Sequence, residues 1–182
     1  SETANTTYKT NSSIYGGNNK LSNTNNNICE ILNKNGWNAI HYACYNGYAD
    51  ILDYFLNKLT SKSNPNITNS EGWSPLLLSV YKQHYKCIEI LLSLENIDVN
   101  YVGPIGTALH AACKKHNYKI VSLLLYKADV TIKDNNGKFA LEYNKDKNII
   151  KLFSKIIKKK LEAIEKNIEL SQKLNSFINN YS

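Results

Sequence analysis

Apolar residues along this chain fall into short blocks with helical spacing, set apart by Gly, Asn and Ser. Ile51, Leu52, Phe55, Leu56 and Leu59 recur at i, i+1, i+4, i+5 and i+8, one stripe of a helix near Ala49–Lys58. Blocks of the same kind predict helices at Ala39–Asn46, Leu76–Lys82, Lys86–Leu94, Ala108–Lys115 and Tyr118–Tyr126. They come in pairs, a short first helix and a longer second one. Gly47 ends the first member of the first pair, since glycine tolerates the left-handed conformation of a helix end. Ser74-Pro75 opens the next pair, with Ser as N-cap and Pro at the first helical position, where its missing N–H costs nothing. Toward the C-terminus, residues Ile156–Ile178 read as one long helix with no Gly or Pro to stop it. Within it Ile157, Leu161, Ile164 and Ile168 stand 4, 3 and 4 apart, the seam spacing of a packed or coiled-coil helix. A second stripe, Leu170, Leu174, Phe177 and Tyr181, is rotated around the axis. Residues 1–27 are Asn, Ser and Thr with few apolar positions, a tail that cannot bury enough surface to offset its ordering entropy. Ile28–Leu32 follows as a single helical turn with Asn27 as its N-cap.

The helix pairs are copies of one another. Gly36-Trp37-Asn38-Ala39-Ile40-His41-Tyr42-Ala43-Cys44 recurs as Gly72-Trp73-Ser74-Pro75-Leu76-Leu77-Leu78-Ser79 and as Gly106-Thr107-Ala108-Leu109-His110-Ala111-Ala112-Cys113. A weaker fourth copy reads Gly137-Lys138-Phe139-Ala140-Leu141-Glu142-Tyr143. Aligned on Ala39, Pro75, Ala108 and Ala140, the steps are 36, 33 and 32 residues, a period that marks a solenoid. No single pair can bury its apolar face alone, and stacking makes the core continuous. The polar run Tyr143–Asn148 suits the outer face of a terminal cap.

These copies, with Ile90-Leu91-Leu92, Ile120-Val121, Leu124-Leu125, Asp98-Val99-Asn100 and Ala128-Asp129-Val130 at matching offsets, resemble the ankyrin-repeat family. The resemblance implies an all-α solenoid of about four helix-turn-helix repeats with β-hairpin tips. We expect a tail over 1–27, repeats over 28–155 and a C-terminal helical extension over 156–182 that partly packs on the last repeat. Gln83 and His116 replace the glycine between helices, Pro104-Ile105 lies in a hairpin one residue short, and Lys127 stands where a helix-ending glycine is usual. The Ser61–Pro65 connection carries about three extra residues by the repeat alignment.

Composition narrows the functional classes. No apolar run reaches the length of about 18 residues that a membrane span requires. The first residues lack the basic-then-apolar pattern of a signal peptide. Met is absent throughout, which reads as a piece of a longer protein. Cys44 and Cys113 share one repeat position and Cys87 lies on an apolar face, the pattern of reduced structural thiols in a cytoplasmic protein. No Cys pair has metal-ligand spacing with a nearby His, and no catalytic or phosphate-cradling motif occurs, so no enzyme activity, metal or cofactor is expected. The net charge of +7 is uneven: residues 1–100 hold seven Lys against eight acids, residues 101–182 fifteen Lys against seven. That asymmetry points to an acidic partner or surface near the C-terminal half. All 22 basic residues are Lys, and the lack of Arg speaks against specific recognition of DNA or RNA.

Site residues follow from the resemblance. It implies that His41 and His110 tie hairpin to helix. It also implies that partners contact the hairpin tips and the outer face of each first helix, which line a concave groove. Those positions here are Lys34, Asn35, Trp37, Tyr45, Ser70, Glu71, Trp73, Tyr81, Lys82, Lys114, Lys115, Lys138 and Lys145. Of these, Trp37, Tyr45, Trp73, Tyr81, Lys82, Lys114, Lys115 and Lys138 are the expected partner contacts, forming a groove that runs from aromatic to basic. Trp37 and Trp73 can instead brace neighbouring hairpins, and the lysines can be a solvated face. The reading is a protein–protein interaction module for a partner with an apolar anchor beside an acidic stretch, the C-terminal helix offering a route to self-association. A rival is a basic scaffold for an anionic membrane or nucleic-acid surface, led by Lys151–Lys173. Gly36-Trp37…Ile40–Tyr45, Ala128–Ile132 and Leu161–Glu165 further resemble the ankyrin region of long oxysterol-binding-protein-related proteins. That resemblance implies a lipid-transfer protein whose repeats dock on a membrane-bound small GTPase.

Overall fold

The computed structural model describes residues 32–58 and 63–180, with positions 170–171 and 173–180 described as backbone alone. The expected tail, the turn at residues 28–31, the start of the Ser61–Pro65 connection and the stripe Leu170, Leu174, Phe177, Tyr181 lie outside the described residues or side chains. The described residues form seven α-helices in order: α1 Ala39–Asn46, α2 Ala49–Asp53, α3 Pro75–Lys82, α4 Tyr85–Ser93, α5 Ala108–Lys114, α6 Tyr118–Leu125 and α7 Lys147–Asn180. A π-helical turn, Tyr54–Lys58, continues α2, so the expected second helix of the first pair loosens halfway. In the fourth copy the first helix shrinks to a 3-10 turn, Ala140–Tyr143.

The helices stack in two rows. The first row is α1 on α3, α3 on α5, and α5 on the 3-10 turn; the second places α2 against α4 and α6 against α7. The two rows close over a single core. Ile40 and Cys44 of α1, Leu76 and Val80 of α3, and Leu109 and Cys113 of α5 meet Leu52, Ile88, Leu91, Ile120, Leu124, Ile149 and Phe153 from the second row. Cys44, Val80 and Cys113 occupy one repeat position and are all buried, so the thiols act as small apolar fillers. Burial pushes the Cys44 and Cys113 pKa values up to about 12.

The ends of the first helices obey one rule in spite of different residues. Gly47 takes φ 78°, Gln83 63° and His116 53°, so the two replacements keep the left-handed turn that glycine adopts freely. Each stop is closed by the next backbone N–H reaching five residues back: Tyr48 to the Ala43 carbonyl, His84 to Ser79, Asn117 to Ala112. Ser74 caps α3 through the Leu77 N–H with Pro75 at the first helical position.

The hairpin tips are turns, held in the third and fourth copies by isolated β-bridges at Gly103–Gly106 and Lys133–Phe139. Asn33, Asn69 and Asp134 organise three of them. Each side-chain oxygen accepts the backbone N–H groups two and four residues on: Asn35 and Trp37, Glu71 and Trp73, Asn136 and Lys138. The short third hairpin has Gly103 there, its backbone paired with that of Gly106, and the Tyr101 hydroxyl donates to the Gly72 carbonyl at 3.0 Å. Between repeats, Asn66 accepts the Asp98 N–H at 2.8 Å and Asn100 accepts the Asp129 N–H at 2.9 Å. Lys127 reaches back to the Leu92 carbonyl at 2.6 Å.

α7 runs unbroken through residue 155, where the repeats were expected to end. Its first turns complete the solenoid, with Ile149, Phe153 and Ile156 buried. The fourth repeat's second helix and the C-terminal extension are thus one rod.

Candidate partner-binding surface

The tips and the ends of the first helices bring six of the eight expected contact residues, Trp37, Tyr45, Trp73, Tyr81, Lys82 and Lys115, together. In the first repeat Trp37 packs at 5.1 Å from the Tyr42 ring and edge-on at 5.3 Å from Tyr45. Trp73 lies 5.2 Å from Tyr81. Both indoles are half-buried and rest on the core, so they brace their hairpins while staying partly accessible. Tyr45 and Tyr81 hold equivalent repeat positions and are each 38% exposed, enough to offer a ring to a partner.

Lysines interleave with these rings. Lys82 Nζ sits 4.0 Å from the Tyr45 ring centre, and Lys115 Nζ sits 4.3 Å from that of Tyr81. Lys82 is the last residue of α3 and Lys115 the C-cap of α5, and each lies over the tyrosine of the preceding repeat. The result is a stripe, Trp37–Tyr45–Lys82–Tyr81–Lys115, crossing three repeats. Cation–π contacts of this exposed kind are worth about 0.5–1 kcal/mol each, so they orient the ammonium groups without fully occupying them.

Lys114 and Lys138 are placed differently. Lys114 takes the repeat position of Tyr45 and Tyr81, yet its ammonium turns inward to the Ile105 carbonyl at 2.9 Å and Asp134 Oδ2 at 3.3 Å. Asp134 also accepts the Tyr143 hydroxyl at 2.6 Å. Burial opposes ionisation of Asp134, but hydrogen bonds from Tyr143, the Lys138 and Asn136 backbones and Lys114 hold its carboxyl well below the usual carboxylate range. The same bond to Asp134 raises the Tyr143 pKa. Lys138 occupies the position of Trp37 and Trp73, with its Nζ 5.4 Å from the Tyr143 ring centre. Lys34, Asn35, Ser70, Glu71 and Lys145 are exposed.

The two motif histidines are structural bolts. His41 Nδ1 lies 3.2 Å from the Asn38 N–H, and His110 Nδ1 lies 3.2 Å from that of Thr107, each closing a reciprocal cap with the helix start. His110 Nε2 also meets the Lys138 carbonyl of the next hairpin at 3.0 Å. His41 Nε2 faces the next hairpin without a hydrogen bond of good geometry. Burial lowers the His41 pKa, against the opposing pull of the Trp73 and Ile67 backbones.

Tyr42 was not among the expected contacts. It is 48% exposed and, with Asn33, Asn35, Trp37, Tyr45, Asn46 and Glu71, lines an open hollow of ≈ 400 Å³ at the end of the stripe. The second and third copies have buried Leu78 and Ala111 at its position and the fourth has half-buried Tyr143, so the aromatic departs from the two middle copies. The turn-forming Asn33, Asn69 and Asp134 were legible too, as an Asn or Asp three residues before a repeat glycine. Among the described residues no group of His, Cys, Asp and Glu is arranged to hold a metal ion, and no helix is long and apolar enough to cross a membrane.

Stacked helix pairs joined by hydrogen-bonded tips, with side chains presented from successive tips, define a helical-repeat solenoid. A family model described as ankyrin repeats in three copies matches residues 14–102 and, overlapping it, 55–134, together more than half of the chain. The chain belongs to the ankyrin-repeat family. It is similar to the target of rapamycin complex 2 subunit AVO2 of Saccharomyces cerevisiae, 31% identical over 112 residues, which cover 60% of this chain and 26% of that protein. It is also similar to the nuclear factor NF-kappa-B p105 subunit of Gallus gallus, 27% identical over 56% of this chain and 10% of that protein. The human transient receptor potential cation channel subfamily A member 1 is 29% identical over 55% of this chain and 9% of its own length. The chain thus spans about a quarter or less of these relatives.

Proposed function

We propose that this chain is a non-catalytic protein-binding module that captures its partner on the stripe Trp37–Tyr45–Lys82–Tyr81–Lys115, with Trp73 behind it and Lys138 beyond. The carrying observation is the alternation of exposed tyrosine rings with lysines laid over them. Such a surface fits a segment that inserts an apolar or aromatic side chain between the rings and lays carboxylates on the ammonium groups. Ankyrin repeats in general serve protein–protein interaction, and one similar protein is by name a subunit of a complex. A cytoplasmic setting belongs to this proposal and rests on the buried free thiols of Cys44, Cys87 and Cys113. A lipid-transfer parent docking on a small GTPase rests on short sequence matches alone.

The test is a pull-down from the source cell with mass-spectrometric identification, using the chain and its Tyr45→Ala/Tyr81→Ala variant. Those rings are half-exposed, so their loss leaves the core intact, which circular dichroism checks. A protein retained by the parent chain and lost by the variant supports the stripe; identical retention sinks it. For the captured partner, each tyrosine truncation is expected to weaken binding by about 2 kcal/mol or more. A basic scaffold for an anionic surface would instead lose affinity steeply with added salt and tolerate the tyrosine changes.

A further inference from the structure

The outer part of α7 is an uncovered helix. Every position from 161 to 169 is exposed, although Leu161, Ile164 and Ile168 are large aliphatics exposed by 54%, 53% and 53%. With Ile150, 41% exposed, and half-buried Ile157, they form a seam at steps of 7, 4, 3 and 4 residues. This seam is distinct from the face that carries Ile149, Phe153 and Ile156 into the core. A helix in water with so little burial is marginal unless its apolar stripe meets a partner.

We propose that this seam is a homodimer interface in which α7 packs antiparallel on α7 of a second copy, independently of the partner reading above. The occupant is argued from charge. Taking Ile157 and Ile164 as d and Leu161 and Ile168 as a, Leu161 faces Ile164 of the second copy and Ile157 faces its Ile168. That register sets Lys158 beside Glu165 of the other copy, and the two-fold axis repeats the pair. The surface is self-complementary, as a two-fold interface requires. The parallel alternative would use Lys160 against Glu165. Lys160 is already committed, its Nζ donating to the Ala128 carbonyl at 3.1 Å. Lys158 is held only by a loose, exposed contact to Glu162 at 3.9 Å and is free to swing across.

Light scattering coupled to gel filtration of the whole chain, run as a concentration series, tests this. The expected mass at high concentration is twice 20.7 kDa, returning to 20.7 kDa for Ile164→Glu, with Ile164→Leu remaining dimeric. A parent chain that stays monomeric throughout, or a dimer indifferent to Ile164→Glu, overturns the interface. Orientation is read by charge exchange. Lys158→Glu and Glu165→Lys each weaken the dimer, by up to about fivefold for an exposed pair, and the double variant restores it. Failure of the double variant to recover overturns the antiparallel register. If α7 binds a helix of a different protein, the purified chain is monomeric, which also refutes the proposal.

Discussion

At the scale of the residue, the same backbone conformation is reached by unequal means. Gly47, Gln83 and His116 all occupy the left-handed region, where a Cβ costs about 1–2 kcal/mol. His116 is exposed and can be relieved: His116→Gly is expected to raise stability by up to about 1 kcal/mol in urea denaturation. Gly47→Ala is expected to do the reverse and more, since a Cβ there would meet His84 Nδ1 at 2.6 Å, against a ring whose Nε2 contacts the Tyr45 carbonyl. Two buried groups are expected to make stability sensitive to acid. His41 has a lowered pKa, so the unfolded chain takes up the proton first and stability falls as pH drops below about 6.5. Asp134 has a depressed pKa, so its contribution is complete above the unfolded value of about 3.9 and is lost as pH falls below it. Asp134→Asn keeps an acceptor for the turn, as Asn33 and Asn69 do, but loses the charge that Lys114 meets. The stability gap between parent and variant is expected to be widest near neutral pH and to shrink on acidification through pH 4, measured by denaturation across pH.

Among the elements, caps do more than start helices. Asn117 accepts the Ile120 N–H at the start of α6, and its amide also donates to Gln83 Oε1 at 2.7 Å and the Tyr85 hydroxyl at 2.6 Å in the preceding repeat. Asn117→Ala removes a cap and a cross-repeat clasp together, and a loss of about 1–2 kcal/mol is expected in the same denaturation assay. Helix spans were legible to within a residue or two because Ser74-Pro75 and Thr107 start helices by side-chain and ring chemistry that needs no tertiary context. Two features were not. The π-helical turn at Tyr54–Lys58 continues a sequence whose apolar period reads as regular helix. The merging of the fourth repeat into α7 was hidden because a polar stretch at Tyr143–Asn148 looks like a loop whether or not the following helix continues.

For the whole molecule, the repeat period determined the architecture from sequence alone. A unit that cannot cover its own apolar face must stack on a copy of itself, and four copies at a near-constant step leave little choice of fold. The candidate contact positions come from the family resemblance, each by its offset within the repeat. What each side chain does there was decided only in three dimensions. Lys114 and Lys115 are neighbours in sequence, yet one is bound inward to Asp134 and the other lies over Tyr81. Trp37 and Trp73 brace tips while Tyr45 and Tyr81 show their rings. The reason is physical: periodicity encodes which face of a helix is apolar, a property of one segment. The direction taken by a long lysine, and the exposure of the stripe Leu161–Ile168, depend on which atoms from repeats some thirty residues away come within reach.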